Sequence, residues 1–503
     1  MIAAVHRIFI WSMLSVGLSV IPVSGHAQVW QPPTPQQVQP VYGPPNESPY
    51  PRQYQQPGIP VRMGATANDI QRQQYDRVPF SGGVVNPRDN QKANHDYILR
   101  ELRKSAAYNP QLRNPNDKQF QISANEELQN IFGSITPAQL AEDYNSKEFA
   151  EKTKPFNDAL RSLKSMLAGK QKLSVSEAYF TMENAFGESY LTRQEFRANL
   201  DKSADFMKAW MAEHNLSQSD NEAIHYTVQK FMSEPLHASS MKTDKDGKKA
   251  IGTVFHDPFC YDFSNYSGEN DNRDFYVTKC LATGMGQCNS MSVLYLCLAE
   301  AMKGKAYLAF APIHALVKYP DNKGNLRNYE ATSNWDITDK WYLDNMFISK
   351  RAQQTGVYLT PYNAKQIVAN CILDLALGYQ RRVGAADGKF IQECINSAKP
   401  YFPKNNNVQV YFAYSNMYGN QLGRIMKSRG ISRVENAMAI PEAKALYEKW
   451  RKNEAIIEDL GYNNMPAGLY EEMMKHYEFR GREQHQLKLD GRRKHDLFRQ
   501  VKM

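Results

Sequence analysis

The stretch Thr283-Gly284-Met285-Gly286-Gln287-Cys288-Asn289-Ser290 runs directly into Met291 to Met302, and its reading decides the fold. Met291, Leu294, Leu298 and Ala301 fall on one helical face, and Val293 and Leu296 widen that face until the helix must be buried nearly all round. Gly284 and Gly286 permit a tight turn into this helix, and Gly304 can close its far end. Cys288 is thereby placed at the helix N-terminus. There the partial positive charge of the helix and its free backbone N–H groups favour a thiolate, the form of cysteine that attacks a carbonyl. The same N–H groups can hold the oxyanion that follows attack, with Gln287 as a further donor.

Downstream, Ala306 to Ala311, His314 to Tyr319 and Leu326 to Thr332 read as strands, with Pro320-Asp321-Asn322-Lys323-Gly324-Asn325 turning between the last two. Pairing Tyr319 with Asn325 sets His314 opposite Glu330 on a shared face, about 5 Å apart at Cβ. A carboxylate there can accept one imidazole N–H and leave the other ring nitrogen for Cys288, an arrangement of nucleophile, base and orienter. A one-residue slip would send one partner to the opposite face, so the inference depends on the turn. Asp336 and Asp339 are alternative acids. Trp335 is placed as a lining residue of an acyl-binding cleft, and Tyr329 as a core aromatic.

Gly286-Gln287-Cys288-Asn289-Ser290, Pro312-Ile313-His314-Ala315 and Asn328-Tyr329-Glu330-Ala331-Thr332 together resemble the core of the transglutaminase-like superfamily, over roughly Tyr261 to Asp336. The resemblance implies a papain-like core with Cys288 as nucleophile, His314 as general base and acid, and Glu330 as orienter. The acid is usually Asp in that superfamily, and Glu330 departs from it by one methylene. Such a domain followed by helical repeats is similar to a bacterial subgroup. The superfamily includes proteases, amidases, acyl transferases and inactive scaffolds, and fold alone does not choose among them.

The expected fold class is α+β: a papain/transglutaminase-like core, with the buried Cys-bearing helix packed on an antiparallel sheet, flanked by helical N-terminal and C-terminal regions. The divisions read from the sequence are a signal peptide at 1–27, a Pro/Gln-rich linker at 28–90, a helical region at 91–236, the core at 237–362, helices at 363–480 and a basic tail at 481–503. Within the third and fifth of these, Ala178, Met182, Ala185 and Phe186, and later Ile367 to Val383, Phe390 to Tyr401 and Val408 to Tyr418, carry helical spacing. Gly378-Tyr379, Ala398-Lys399-Pro400 and Pro403-Lys404-Asn405 resemble a degenerate tetratricopeptide repeat, which implies a groove for a protein partner.

The 503 residues are 42% hydrophobic and 22% charged, enough apolar material for a large core, and the surplus of 61 Lys and Arg over 52 Asp and Glu is spread along the chain. It does not argue for nucleic acid. Met1 to Arg7, the apolar run Ile8 to Val23 and Gly25-His26-Ala27 read as an export signal cleaved after Ala27, giving a periplasmic or secreted protein. Contact with a membrane is expected only if that segment stays uncleaved. Among the cysteines Cys260, Cys280, Cys288, Cys297, Cys371 and Cys394, either Cys260 with Cys280 or Cys371 with Cys394 can bridge, or all are buried thiols. Glu222 and His225 share a helix face, read as solvated, and Asp244-Lys245-Asp246-Gly247 reads as a turn. No cofactor and no metal is implied. The functional expectation is attack of Cys288 on an amide or peptide carbonyl through an acyl-enzyme; the rival is an inactive scaffold that binds a protein.

Overall fold

The helix that begins at Cys288 has no face left for solvent, and the rest of the chain is arranged to cover it. A computed structural model describes residues 128–187, 189–243, 249–263, 272–384, 388–462 and 498–500. The signal peptide at 1–27, the linker at 28–90, the turn Asp244 to Gly247 and most of the basic tail lie outside those residues. The class is α+β, with long helices and small sheets.

Strands β1 (Leu236–Thr243) and β2 (Lys249–His256) form an antiparallel ribbon; β3 (Cys260–Tyr261) and β4 (Met285–Gly286) form a short parallel pair. Four antiparallel strands follow, β5 (Tyr307–Ala311), β6 (His314–Pro320), β7 (Leu326–Glu330) and β8 (Trp335–Ile337), in spatial order of sequence. A last strand, β9 (Phe498–Gln500), joins β2. Helix Cys288–Ala301 packs on β5 and β6, while helices Val175–Ala185, Arg193–Glu213, Asn221–Ser233 and Val277–Thr283 close around its other sides. Their ends are tied by acids: the Glu300 carboxylate accepts from Val175 N at 2.8 Å and Ser176 N at 3.0 Å, and Glu183 accepts from Val277 N at 2.7 Å. Each carboxylate thus satisfies helix-start donors that have no partner within the helix.

The hairpin register differs from the expectation by two residues. Tyr319 faces Arg327, not Asn325, because the loop is only Asn322-Lys323-Gly324. Asp321 N donates to Asn325 O at 2.8 Å and Gly324 takes the left-handed φ of 84°, while the Asp321 carboxylate accepts from Lys323 N and Asn325 N. A side-chain acceptor at the first position and a left-handed glycine at the last are what a three-residue hairpin loop requires. A shift of two preserves which face each side chain occupies. Continuing the observed register, Glu330 stands opposite Leu316, and His314 is its diagonal neighbour on the same face.

Three further readings are corrected. Gly284 does take a left-handed φ, 72°, at the end of helix Val277–Thr283, but Gly286 does not; a Cβ there would lie 2.6 Å from Cys280 Sγ, so Gly286 is required by close packing. At the far end of the Cys288 helix the left-handed residue is Lys303, and Gly304 allows the approach of Ile224. Glu222 and His225 are not on a solvated face: both are buried, because helix Asn221–Ser233 is covered by the Cys288 helix and β6. His225 stacks on Tyr319 at 4.3 Å between ring centroids, and its Nε2 donates to Lys305 O at 3.0 Å, which leaves Nδ1 to accept from the Tyr295 hydroxyl at 2.8 Å.

The helices after Asn363 are Ala364–Arg382, Lys389–Ala398 and Val408–Ser428, followed by Pro441–Asp459: the first begins earlier than Ile367, the second gives way to a 3-10 turn at Lys399–Tyr401, and the third runs on past Tyr418. One hydrophobic cluster contains buried residues from Phe149 to Tyr462, so the three inner divisions share a core. Helix Ala364–Arg382 is buried continuously from Ile367 to Tyr379. Cys371 and Cys394 are separate buried thiols, and no disulfide joins Cys260 to Cys280. Among the described residues no helix is long and apolar enough to cross a membrane.

Candidate active site

Cys288 occupies the first turn of its helix, capped by Gln287 in extended conformation. The first bond within the helix runs from Met291 N to Gln287 O, so the amides of Cys288 and Asn289 have no intrahelical acceptor. Ser290 Oγ accepts from Gln287 N at 2.8 Å and donates to Asp274 O at 3.1 Å, which anchors the helix start. The Gln287 side chain points inward, where Nε2 donates to Asp262 O at 2.6 Å. Its amide therefore braces the turn, and one of its two N–H groups is committed there. Asp262 and Asp274 are themselves joined by the buried Lys279 ammonium, 2.7 Å from each carboxylate.

His314 opens β6, immediately after the two-residue turn Pro312-Ile313. Ile313 has a φ of 58°, a conformation β-branched residues rarely take, and it is buried. Strain of this kind persists where the surrounding packing dictates it, and here it lies one residue from a site histidine. Ser292 Oγ donates to Ala315 O at 3.0 Å, which fastens the Cys288 helix to the start of β6. The imidazole interacts with both expected partners. Nε2 lies 2.5 Å from Glu330 Oε2, and Cys288 stands close enough to the ring to act on its charge.

Glu330 is buried and accepts from several donors at once. Besides His314, the Tyr342 hydroxyl donates to Oε2 at 2.9 Å, and Thr332 donates to Oε1 through its hydroxyl at 2.8 Å and its N–H at 3.2 Å. Burial alone would raise the Glu330 pKa; His314, Thr332 and Tyr342 outweigh it and hold the group below its usual value. Burial alone would likewise lower the His314 pKa, but the Glu330 carboxylate and Cys288 raise it to about 10. The pair therefore favours imidazolium beside carboxylate. A diagonal neighbour lies about 7–8 Å away rather than 5 Å, and the additional methylene of Glu spans that difference.

The alternative acids are employed elsewhere. Asp336 meets the Tyr319 hydroxyl at 3.3 Å, and Asp339 binds Lys318 Nζ at 2.5 Å and Asn328 Nδ2 at 2.7 Å. Tyr329 is buried in the core, with its hydroxyl donating to Asn334. Trp335 faces Glu330 across β7 and β8 but is 48% exposed, and it does not line the cavity that reaches the site. That cavity, of about 120 Å³, opens on Asn289 and His314 and is walled by helices Ala364–Arg382 and Val408–Ser428.

Tyr342, Thr332 and the cavity wall were not foreseen from the sequence. One signal for the wall was present: Asn370, Asp374 and Arg381 interrupt an apolar helix at intervals of four and seven, so they share one face. No signal pointed to Tyr342. Comparison with protein families, with curated proteins and with solved structures finds no match to this chain.

Proposed function

We propose that this protein is a thiol-dependent acyl-transfer enzyme of the transglutaminase-like kind, acting on amide or peptide bonds, with Cys288, His314 and Glu330 as its triad. The observation that carries the reading is that His314 is bonded to a carboxylate that Tyr342 and Thr332 hold in place, while Cys288 at its helix start acts on the same imidazole. In this reaction Cys288 Sγ attacks the carbonyl carbon, and the amides at the helix start donate to the developing oxyanion. His314 gives its proton to the departing amine as the C–N bond breaks, leaving a thioester on Cys288. His314 then takes a proton from the incoming water as it attacks, and the thioester opens to acid and free thiol. Water is the default acceptor; an amine in its place makes the same step a transfer. Export rests on the pattern of residues 1–27 and makes envelope or extracellular polypeptides the proposed substrates.

The test is alkylation by iodoacetamide, read at each cysteine by mass spectrometry across pH. The expected result is that Cys288 labels much faster than the other five cysteines and that His314→Ala abolishes the difference. Slow labelling of Cys288 at every pH would leave a scaffold that binds a protein as the remaining reading.

A further inference from the structure

The cavity beside His314 has a composition of its own. Phe310, Tyr362, Phe412 and Tyr462 give it aromatic sides, and its volume of about 120 Å³ is on the scale of the roughly 150 Å³ apolar cavity that accommodates one benzene ring. One wall is polar. Asp374 is 7% exposed, its carboxylate accepts from Asn370 Nδ2 at 3.2 Å, and Gln409 stands near it on the same wall. Asn370 is fixed in turn by Asn407 Nδ2 at 3.1 Å. Gln409 Oε1 is buried and without a hydrogen-bond partner among the described residues. A buried acceptor of that kind calls for a donor from whatever fills the space.

The wall also carries a cation. Arg381 lines the same cavity two turns beyond Asp374 on the same helix, about 10 Å along its axis, so a cation drawn to one end meets a cation at the other. An uncharged occupant meets no such opposition.

We infer that this cavity is the specificity pocket of the site, and that it takes one uncharged aromatic side chain with a hydrogen-bond donor at its tip, for which tyrosine is the fitting amino acid. The inference rests on the proposed reading of the site, since His314 forms one end of the pocket. The ring lies among the aromatic sides, and its hydroxyl donates to Gln409 Oε1 or to Asp374. The substrate class is then a polypeptide with tyrosine beside the bond attacked.

The experiment uses the full chain carrying Cys288→Ala, so that binding is measured with no nucleophile present and whatever the reactivity of Cys288 proves to be. N-acetyl-tyrosinamide, N-acetyl-phenylalaninamide and N-acetyl-lysinamide are titrated by ligand-observed NMR. The expected order places tyrosine roughly tenfold tighter than either of the others, and adding Gln409→Leu lowers tyrosine to the level of phenylalanine with an unchanged melting temperature. Equal binding of tyrosine and phenylalanine, tighter binding of lysine, or no saturable binding of any would overturn the inference. Those comparisons within Cys288→Ala decide the matter even if the second substitution prevents folding. Failure of the triad reading is seen separately, as slow alkylation of Cys288 in the unaltered protein.

Discussion

At the scale of single residues, the diagonal placement of His314 and Glu330 makes chain length at position 330 decisive. Glu330→Asp withdraws the carboxylate by one methylene across a gap of about 7–8 Å, so the bond to the imidazole is lost although the charge type is kept. Alkylation of Cys288 is expected to slow in Glu330→Asp nearly as much as in Glu330→Gln. If Asp restored the native rate, the register argument would fail. In Glu330→Gln the imidazole loses its carboxylate, and NMR titration should find its pKa falling from about 10 towards the ordinary 6.5. In the native protein a raised folded pKa means that the His314 contribution to stability is complete below pH 6.5 and fades as pH rises to about 10.

His225 has the opposite sign. Burial, only partly offset by the Lys305 carbonyl, lowers its pKa to about 4. The unfolded chain takes up a proton below pH 6.5 while the folded protein does not until about pH 4. Stability is therefore retained above pH 6.5 and lost as pH falls through that window, by on the order of 3 kcal/mol. His225→Gln keeps a donor and an acceptor but does not titrate. Its denaturant midpoint is expected to be lower at pH 7, for want of the stack on Tyr319, yet to fall less between pH 7 and pH 4.5.

At the scale of elements, two glycines set how closely helices approach. A Cβ on Gly378 would lie 1.9 Å from the Phe186 ring, so Gly378→Ala gains helix propensity but must displace an aromatic. A net loss of about 1–3 kcal/mol is expected from thermal unfolding, the reverse of what an exposed Gly-to-Ala change in a helix gives. Gly286→Ala would press on Cys280 Sγ and Ser290 Oγ, and Ser290 anchors the start of the Cys288 helix. Slower alkylation of Cys288 should accompany its loss of stability.

Elements were also the scale at which the sequence was most readable. Period 3.6 found the Cys288 helix, and strand pattern with turn residues found β5, β6 and β7, because each signal lies within a dozen residues. The shared face of His314 and Glu330 was readable because side chains alternate with period two, and a two-residue shift leaves them on the same side. Exact register was not, since it turned on whether Asp321 or Tyr319 closes the loop, a choice made by the Asp321 carboxylate and the left-handed Gly324. Tyr342 and Gln409 reach this region only through tertiary contact, which no local pattern records; for the rest of the wall the spacing of Asn370, Asp374 and Arg381 was the one local signal.

At the scale of the whole molecule, the Cys288 helix is enclosed by segments from both sides of the sequence, and one cluster of buried residues runs from Phe149 to Tyr462. Calorimetry on the full chain should therefore show one cooperative transition for this core. A fragment of residues 237–362, which contains the whole triad, lacks the helices that cover it and is expected to show no cooperative melt. A sharp transition in that fragment would mean that the shared core is not needed for folding.

The polar wall of the cavity comes from Asn370, Asp374, Arg381, Asn407 and Gln409, all later in the chain than Cys288, His314 and Glu330. During synthesis, at about 5–20 residues per second, the ribosome delivers the triad first and the wall seconds afterwards. On the proposed reading, a chain interrupted between the two would carry the nucleophile without the surface that selects what reaches it. Order of manufacture would then separate the power to react from the power to choose, with only the finished polypeptide holding both.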